Sequence, residues 1–156
     1  MIDVVNTSRA LFLMIVANVS PWAAGRALQR HWTAPLDGGV RLWDGERLFG
    51  GHKTWRGVLF GTLSCALAAV LTGPGFAVGA AFGALSLTGD ALSSAFKRRL
   101  RLAPGTEIVG LDQVPEALLP SMLLARPLGL GAAEICAAVV AFVVLDLLAT
   151  KIRHAP

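Results

Sequence analysis

The sequence predicts an all-α integral membrane protein with about five transmembrane helices and a functional cytoplasmic loop between the first and second. Hydrophobic residues fill 54% of its 156 positions and charged residues only 15%, too apolar a balance for an ordinary soluble domain. Mean hydropathy is +0.62. The apolar residues also gather into runs that approach the roughly 20 residues a spanning helix needs.

The elements follow in order as a single transmembrane domain over residues 1–156. Residues 10–28 read as a retained span: Asp3 and Arg9 precede it where a cleaved leader would carry a basic cluster, and Asn18 and Pro21 interrupt it. Residues 29–56 form a cytoplasmic loop with turn signals at Pro35 to Gly39 and at Asp44-Gly45. Trp22, Trp32, Trp43 and Trp55 all fall in or beside it, as an interfacial belt requires. The second span, 57–72, is short and borrows Trp55 and Arg56 at its start, and an uncharged link leads to the third, 76–95. Gly79, Ala80, Gly83 and Ala84 give the third span a face for close helix packing. A second cytoplasmic loop, 96–107, leads to the fourth span, 108–125, where Asp112, Pro115, Glu116 and Pro120 predict a kinked or broken helix. The fifth covers 132–149. Cys65 and Cys136 lie in apolar stretches, where a thiol behaves as a small hydrophobe, and their number and spacing suggest neither a structural disulfide nor a zinc site.

Positive charge sets the orientation. Arg30, Arg41, Arg47, Lys53 and Arg56 lie in the first loop, Lys97, Arg98, Arg99 and Arg101 in the second, and Lys151 and Arg153 in the tail. With five spans these segments share one side, and only Arg9 and Arg126 remain opposite. The positive-inside rule then puts the amino terminus outside and the carboxyl terminus in the cytoplasm of a multi-pass cell-membrane protein. The same distribution explains the net charge of +4 without nucleic acid as a partner. Oligomeric state is not legible.

Residues 50–57, Gly-Gly-His-Lys-Thr-Trp-Arg-Gly, carry chemistry. A glycine turn with Gly51, His52, Lys53, Thr54 and Arg56 offers close backbone approach, a hydroxyl and fixed cations, the groups that grip polyphosphate. Six residues stand between Asp90 and the basic cluster, about 9 Å of helix, and an ionised carboxylate at that depth is costly without a partner. Ser93, Ser94 and Lys97 continue its face towards the surface. The plain structural alternative is an Asp90 that neutralises a snorkelling Lys97. Asp112 and Glu116, four residues apart, form a second acidic pair at similar depth. If the helix starts at Pro115, Asp112 stands just outside its positive end.

Asp90, Asp112 and Glu116 are oxygen donors for magnesium, which prefers one or two carboxylates completed by phosphate oxygens and water. Lys53, Arg56, Lys97 and Arg98 would balance a polyphosphate. The residues alone reach phosphoryl or nucleotidyl transfer onto a lipid. A non-catalytic nucleotide- or lipid-binding membrane protein and a lipid kinase or phosphotransferase stay open beside it.

The order GGHKTWRG, TGDALSSAFKRR, GLDQ, with Asn18 to Pro21, PLDGG at 35–39 and Asp44-Gly45, resembles the CDP-archaeol synthase family over most of the chain. These are small membrane cytidylyltransferases, distantly similar to CDP-diacylglycerol synthases. The resemblance implies attack of a lipid phosphate on the α-phosphorus of CTP, with pyrophosphate leaving and a CDP-lipid of archaeol or diacylglycerol type remaining. It implies magnesium at Asp90 and Asp112, phosphate binding by Lys53, Thr54, Arg56, Lys97 and Arg98, and Asn18 facing the site. The chain departs from the family's Asp-Gln-x-Asp, because position 115 is proline and the acid, Glu116, comes one residue later.

Overall fold

The computed structural model describes residues 2–103, 106 and 108–153, with side chains as far as residue 151. Helices α1 (Val4–Leu28), α2 (Trp55–Thr72), α3 (Phe76–Arg99), α4 (Gln113–Leu123), α5 (Ala125–Leu128) and α6 (Ala132–Arg153) hold nearly all the regular structure, and among the described residues there is no β-strand. Lipid imposes this choice, since a helix pairs its backbone donors and acceptors within one segment. Among the described residues four helices, α1, α2, α3 and α6, are long and apolar enough to cross a membrane.

Caps explain where the helices begin. Asp3 accepts from the backbone N–H groups of Val5 and Asn6 at 2.9 and 3.1 Å, so α1 starts ahead of its apolar run. The Thr54 hydroxyl accepts from the Gly57 N–H at 3.2 Å and starts α2 at Trp55. Lys97, Arg98 and Arg99 occupy the last turn of α3, where cations complement the helix dipole.

The fourth passage through the bundle is divided. Asp112 precedes α4, which has only 11 residues, about 16 Å of helix. The chain turns at Leu124 and continues as the four-residue α5. The passage ends at Gly129, whose carbonyl accepts from Asn6 Nδ2 at 3.3 Å beside the start of α1. The Asp3 N–H donates to Glu134 Oε1 at 3.0 Å, which places the start of α6 at that same end. Asp112, Lys97, the 29–54 segment and Thr150 of α6 gather at the other end, where the site lies.

The core is built from small residues and a few large ones. Leu13, Met14 and Phe82 are fully buried among Ala10, Ala17, Ala66 and Ala69. A Cβ on Gly79 would fall 2.4 Å from both the Ala69 Cβ and the Cys65 carbonyl, and one on Gly83 would fall 2.9 Å from the Thr62 Cα. The small-residue face of α3 therefore packs on α2 inside the chain. Leu59, Leu71, Val140 and Leu148 point outward, as a lipid-facing perimeter requires.

The 29–54 segment folds around Asp37, whose side chain is fully buried. Its carboxylate accepts from the N–H groups of Gly39 at 2.9 Å and of Phe49 and Gly50 at 3.2 Å, and pairs with Arg47 at 2.5 Å. Burial alone would raise its pKa; Arg47 and the three N–H donors outweigh it and hold the group at about 2. The paired ends of the loop meet where the Leu36 N–H donates to the Lys53 carbonyl at 2.8 Å and the Trp55 N–H to Ala34 at 3.1 Å. Arg99 ties the loop to α3 through Asp44 at 3.3 Å and the Arg47 carbonyl at 2.8 Å.

Because the folded pKa of Asp37 is depressed below 3.8, its stabilisation is present above that pH and is lost as pH falls through 3.8 towards 2. Proteolysis within residues 38–50 is expected to set in only below about pH 4 in the unaltered protein. In Asp37→Asn it is expected at neutral pH, with a stability loss of about 2 kcal/mol in thermal unfolding. Equal protease resistance of the two at pH 7 would contradict this role.

Candidate active site

The inner end of that loop delivers His52, Lys53 and Thr54 to α3. Lys53 Nζ and Asp90 Oδ2 form an ion pair between loop and helix, both part-buried. Lys97 Nζ lies 2.6 Å from Asp112 Oδ1 and donates to the Thr106 carbonyl at 2.8 Å. Asp90 and Lys97 thus each take a partner from another element, so the sequence alternative in which Asp90 neutralises Lys97 does not describe the fold. Glu116 is 6% exposed and accepts from Asn18 Nδ2 at 3.4 Å. An Asn18 in mid-α1 therefore has a polar partner on α4.

Two cavities meet at these side chains. A cavity of about 220 Å³ is walled by Lys97, Asp112, Gln113, Asp146 and Thr150. A second, of about 580 Å³, lies against α1 and α2, walled by Pro21, Trp22, Arg26, Arg56, Val58 and Leu87. Asn18, His52, Lys53, Asp90 and Glu116 line both. The smaller space is polar on nearly every side; the larger is amphipathic. Burial of the His52 ring, followed by the nearby Lys53 charge, lowers its pKa below 6.5. At neutral pH the ring is therefore uncharged beside Lys53.

Other expected residues have different places. Thr54 and Arg56 border the larger cavity while also fixing the scaffold: Thr54 caps α2, and Arg56 donates to the carbonyls of Gln29 at 3.0 Å and His31 at 2.7 Å at the end of α1. Arg98 is buried and donates to the Ala103 carbonyl at 2.7 Å, and Ser93 donates to the Asp90 carbonyl at 2.8 Å. Gly51 lies against Arg47, whose Nη1 would be 3.1 Å from an added Cβ. Arg98, Ser93 and Gly51 stand behind the cavity walls.

The site also holds residues that the sequence reading did not single out. Gln113 Nε2 donates to Asp146 Oδ2 at 3.0 Å, and Gln113 Oε1 accepts from the Gly110 N–H at 2.8 Å. This bridge ties α6 to the turn that carries Asp112. The signal for Asp146 was present, a carboxylate within the apolar run VVLDLL, and intramembrane charge marks function by default.

Among the described residues no three His, Cys, Asp or Glu side chains come together as a metal cage. Asp90 and Asp112 nevertheless face one polar compartment with Glu116, and each is balanced by a lysine that a phosphate oxygen can draw away. That suits a metal that arrives with polyphosphate and needs only one or two carboxylates.

The CarS-like family model, CDP-archaeol synthase, matches residues 1–78. The CDP-archaeol synthase of Thermofilum pendens is 36% identical over 146 residues, covering 86% of this chain and 70% of that protein. That of Methanococcus aeolicus is 33% identical over 129 residues, covering 71% and 69%. A solved structure described as an intramembrane enzyme for archaeal membrane lipids biosynthesis aligns with TM-score 0.78 and 29% identity over 92% of this chain and 91% of that one. Four helices of spanning length and these relatives together define a multi-pass membrane transferase of the nucleotidyl-transfer class. The chain belongs to the CDP-archaeol synthase family.

Proposed function

We propose that the chain transfers CMP from CTP to a lipid phosphate of the archaeal ether type, releasing pyrophosphate. The observation that carries this reading is the meeting of Lys53, Asp90 and Glu116 at the boundary between a polar compartment and an amphipathic one. Such a boundary suits one substrate that is a polyphosphate and another that is half lipid. Lys97 and Lys53 bind and neutralise the triphosphate; Asn18 and neutral His52 orient it by hydrogen bonds. A phosphate oxygen of the lipid attacks the α-phosphorus, and the bond to the β-phosphate oxygen breaks with its electron pair leaving on pyrophosphate. The nucleophile is already anionic, so no general base is needed; alignment and charge neutralisation carry the rate.

Magnesium would be held by Asp90 and Asp112, with Glu116 close by in the same compartment, and would supply charge neutralisation on the phosphate oxygens when bound. Glu116 supplies the carboxylate that position 115 lacks. The site end of the bundle faces the cytoplasm and the amino terminus lies outside, which the charge distribution supports and which gives the enzyme access to CTP. Titration calorimetry of the purified chain with magnesium is expected to show CTP binding at least about tenfold tighter than ATP, a difference of about 1.4 kcal/mol. Equal affinity would contradict the assignment of the nucleotide.

A further inference from the structure

Arg26 differs from the other cations on the cavity walls. Lys53 and Lys97 are engaged by Asp90 and Asp112, and Arg56 by two backbone carbonyls. Among the described residues Arg26 has no carboxylate or carbonyl partner. Its guanidinium lies over the Trp22 ring, 5.2 Å from the centroid, and both residues line the amphipathic compartment. A guanidinium stacked on an indole keeps its five donors for a ligand in the plane of the fork.

Its position narrows the ligand. Arg26 is in the last turn of α1, and Trp22, 49% exposed one turn earlier, marks interfacial depth. Below them the wall continues as Pro21, Val58 and Leu87. Pro21 has no N–H to return to the Ala17 carbonyl, and both residues face this same space. A lipid presents a phosphate at interfacial depth and apolar chains beneath it. For a triphosphate the polar compartment adds the Lys97–Asp112 pair to the Lys53–Asp90 pair that both compartments share.

We propose that Arg26, held by Trp22, is the residue that binds the phosphate monoester of the lipid acceptor, and that the amphipathic compartment between α1 and α2 is the acceptor's entry. This rests on the cytidylyl-transfer reading and assigns one of its two substrates to one of the two compartments. Bidentate Arg–phosphate contact holds the acceptor along the wall that ends at Lys53 and Asp90, and it contributes to acceptor binding rather than to CTP binding.

The test uses the purified full chain in detergent, CTP with magnesium, and a dialkyl-ether glycerol phosphate as acceptor. Arg26→Ala is expected to raise the acceptor KM by about ten- to a hundredfold, the loss expected for a charge-assisted contact, with CTP affinity by calorimetry unchanged. Arg26→Lys should recover part of that loss. Arg30→Ala, which removes another surface cation one turn on, should leave the acceptor KM where it was. An unchanged acceptor KM in Arg26→Ala, an equal rise in Arg30→Ala, or a matching loss of CTP affinity in Arg26→Ala would overturn the assignment. Failure of the unaltered protein to bind CTP would instead overturn the cytidylyl-transfer reading beneath it.

Discussion

Asp90→Asn is expected to lower turnover by about a thousandfold, the scale seen when a group that stabilises transition-state charge is removed, while the protein stays in the membrane and folded. The reason lies in its shared position. Asp90 borders both compartments and pairs with Lys53 across the loop–helix boundary. Removing the charge leaves Lys53 part-buried without its counter-ion and takes away a carboxylate proposed to hold the metal. Lys53→Met should lose a comparable factor. Because the two act as a unit, the double variant should be little worse than either single one. Rates that multiply, or an Asp90→Asn enzyme with more than a tenth of the original turnover, would contradict the pairing as the working element.

The second large effect comes from a residue with no side chain. A Cβ on Gly89 would fall 2.3 Å from the Pro115 carbonyl oxygen, 2.5 Å from its carbon and 2.8 Å from the Glu116 nitrogen. All three are backbone atoms, so relief requires α4 to move away from α3. Gly89→Ala should cost about 3 kcal/mol, the upper end of overpacking effects, and Gly89→Leu should prevent stable folding. Since Glu116 and Asp112 travel with α4, the alanine variant should also bind CTP less tightly. Gly25→Ala is the comparison: its Cβ would meet only Arg56 Nη2 at 3.6 Å, and alanine there should be neutral or stabilising. Thermal unfolding in detergent measures both. Equal melting temperatures would mean that α3 and α4 are not in the contact described.

The same contact gives Pro115 a physical setting. Its carbonyl packs against the backbone of Gly89, and the next residue, Glu116, is turned into the bundle towards Asn18. The acid is displaced by one position along the chain, yet a carboxylate still faces Asp90's cavity.

Long apolar runs were legible because lipid rewards little else at that length. The early start of α1 was not, because a single cap sets it: Asp3 starts α1 well before residue 10, whereas α2 starts at Trp55 behind Thr54, with the Trp55 and Arg56 the short second span needed. The division of the fourth passage was legible in kind from its two prolines and two acids, although the turn falls at Leu124. Asn18 came only with the family resemblance; Lys53 could be read as a candidate site residue from its glycine-rich block, and Asp90, Asp112 and Glu116 from being carboxylates at membrane depth. Their pairing could not. Helical periodicity connects Asp90 to Lys97 along one helix, whereas the fold connects Lys53 to Asp90 and Lys97 to Asp112 across elements. Nor does charge separate Arg98 and Ser93, which support the backbone, from Lys53 and Lys97, which line the cavity.

The most direct measurement follows two phosphorus labels through one reaction with a dialkyl-ether glycerol phosphate. Label in the α-phosphate of CTP should pass into the lipid fraction, and label in the γ-phosphate should leave as soluble pyrophosphate, one for one with lipid product. γ-Label in the lipid would mean a kinase, and no label in the lipid from either position would mean that the site binds without transferring.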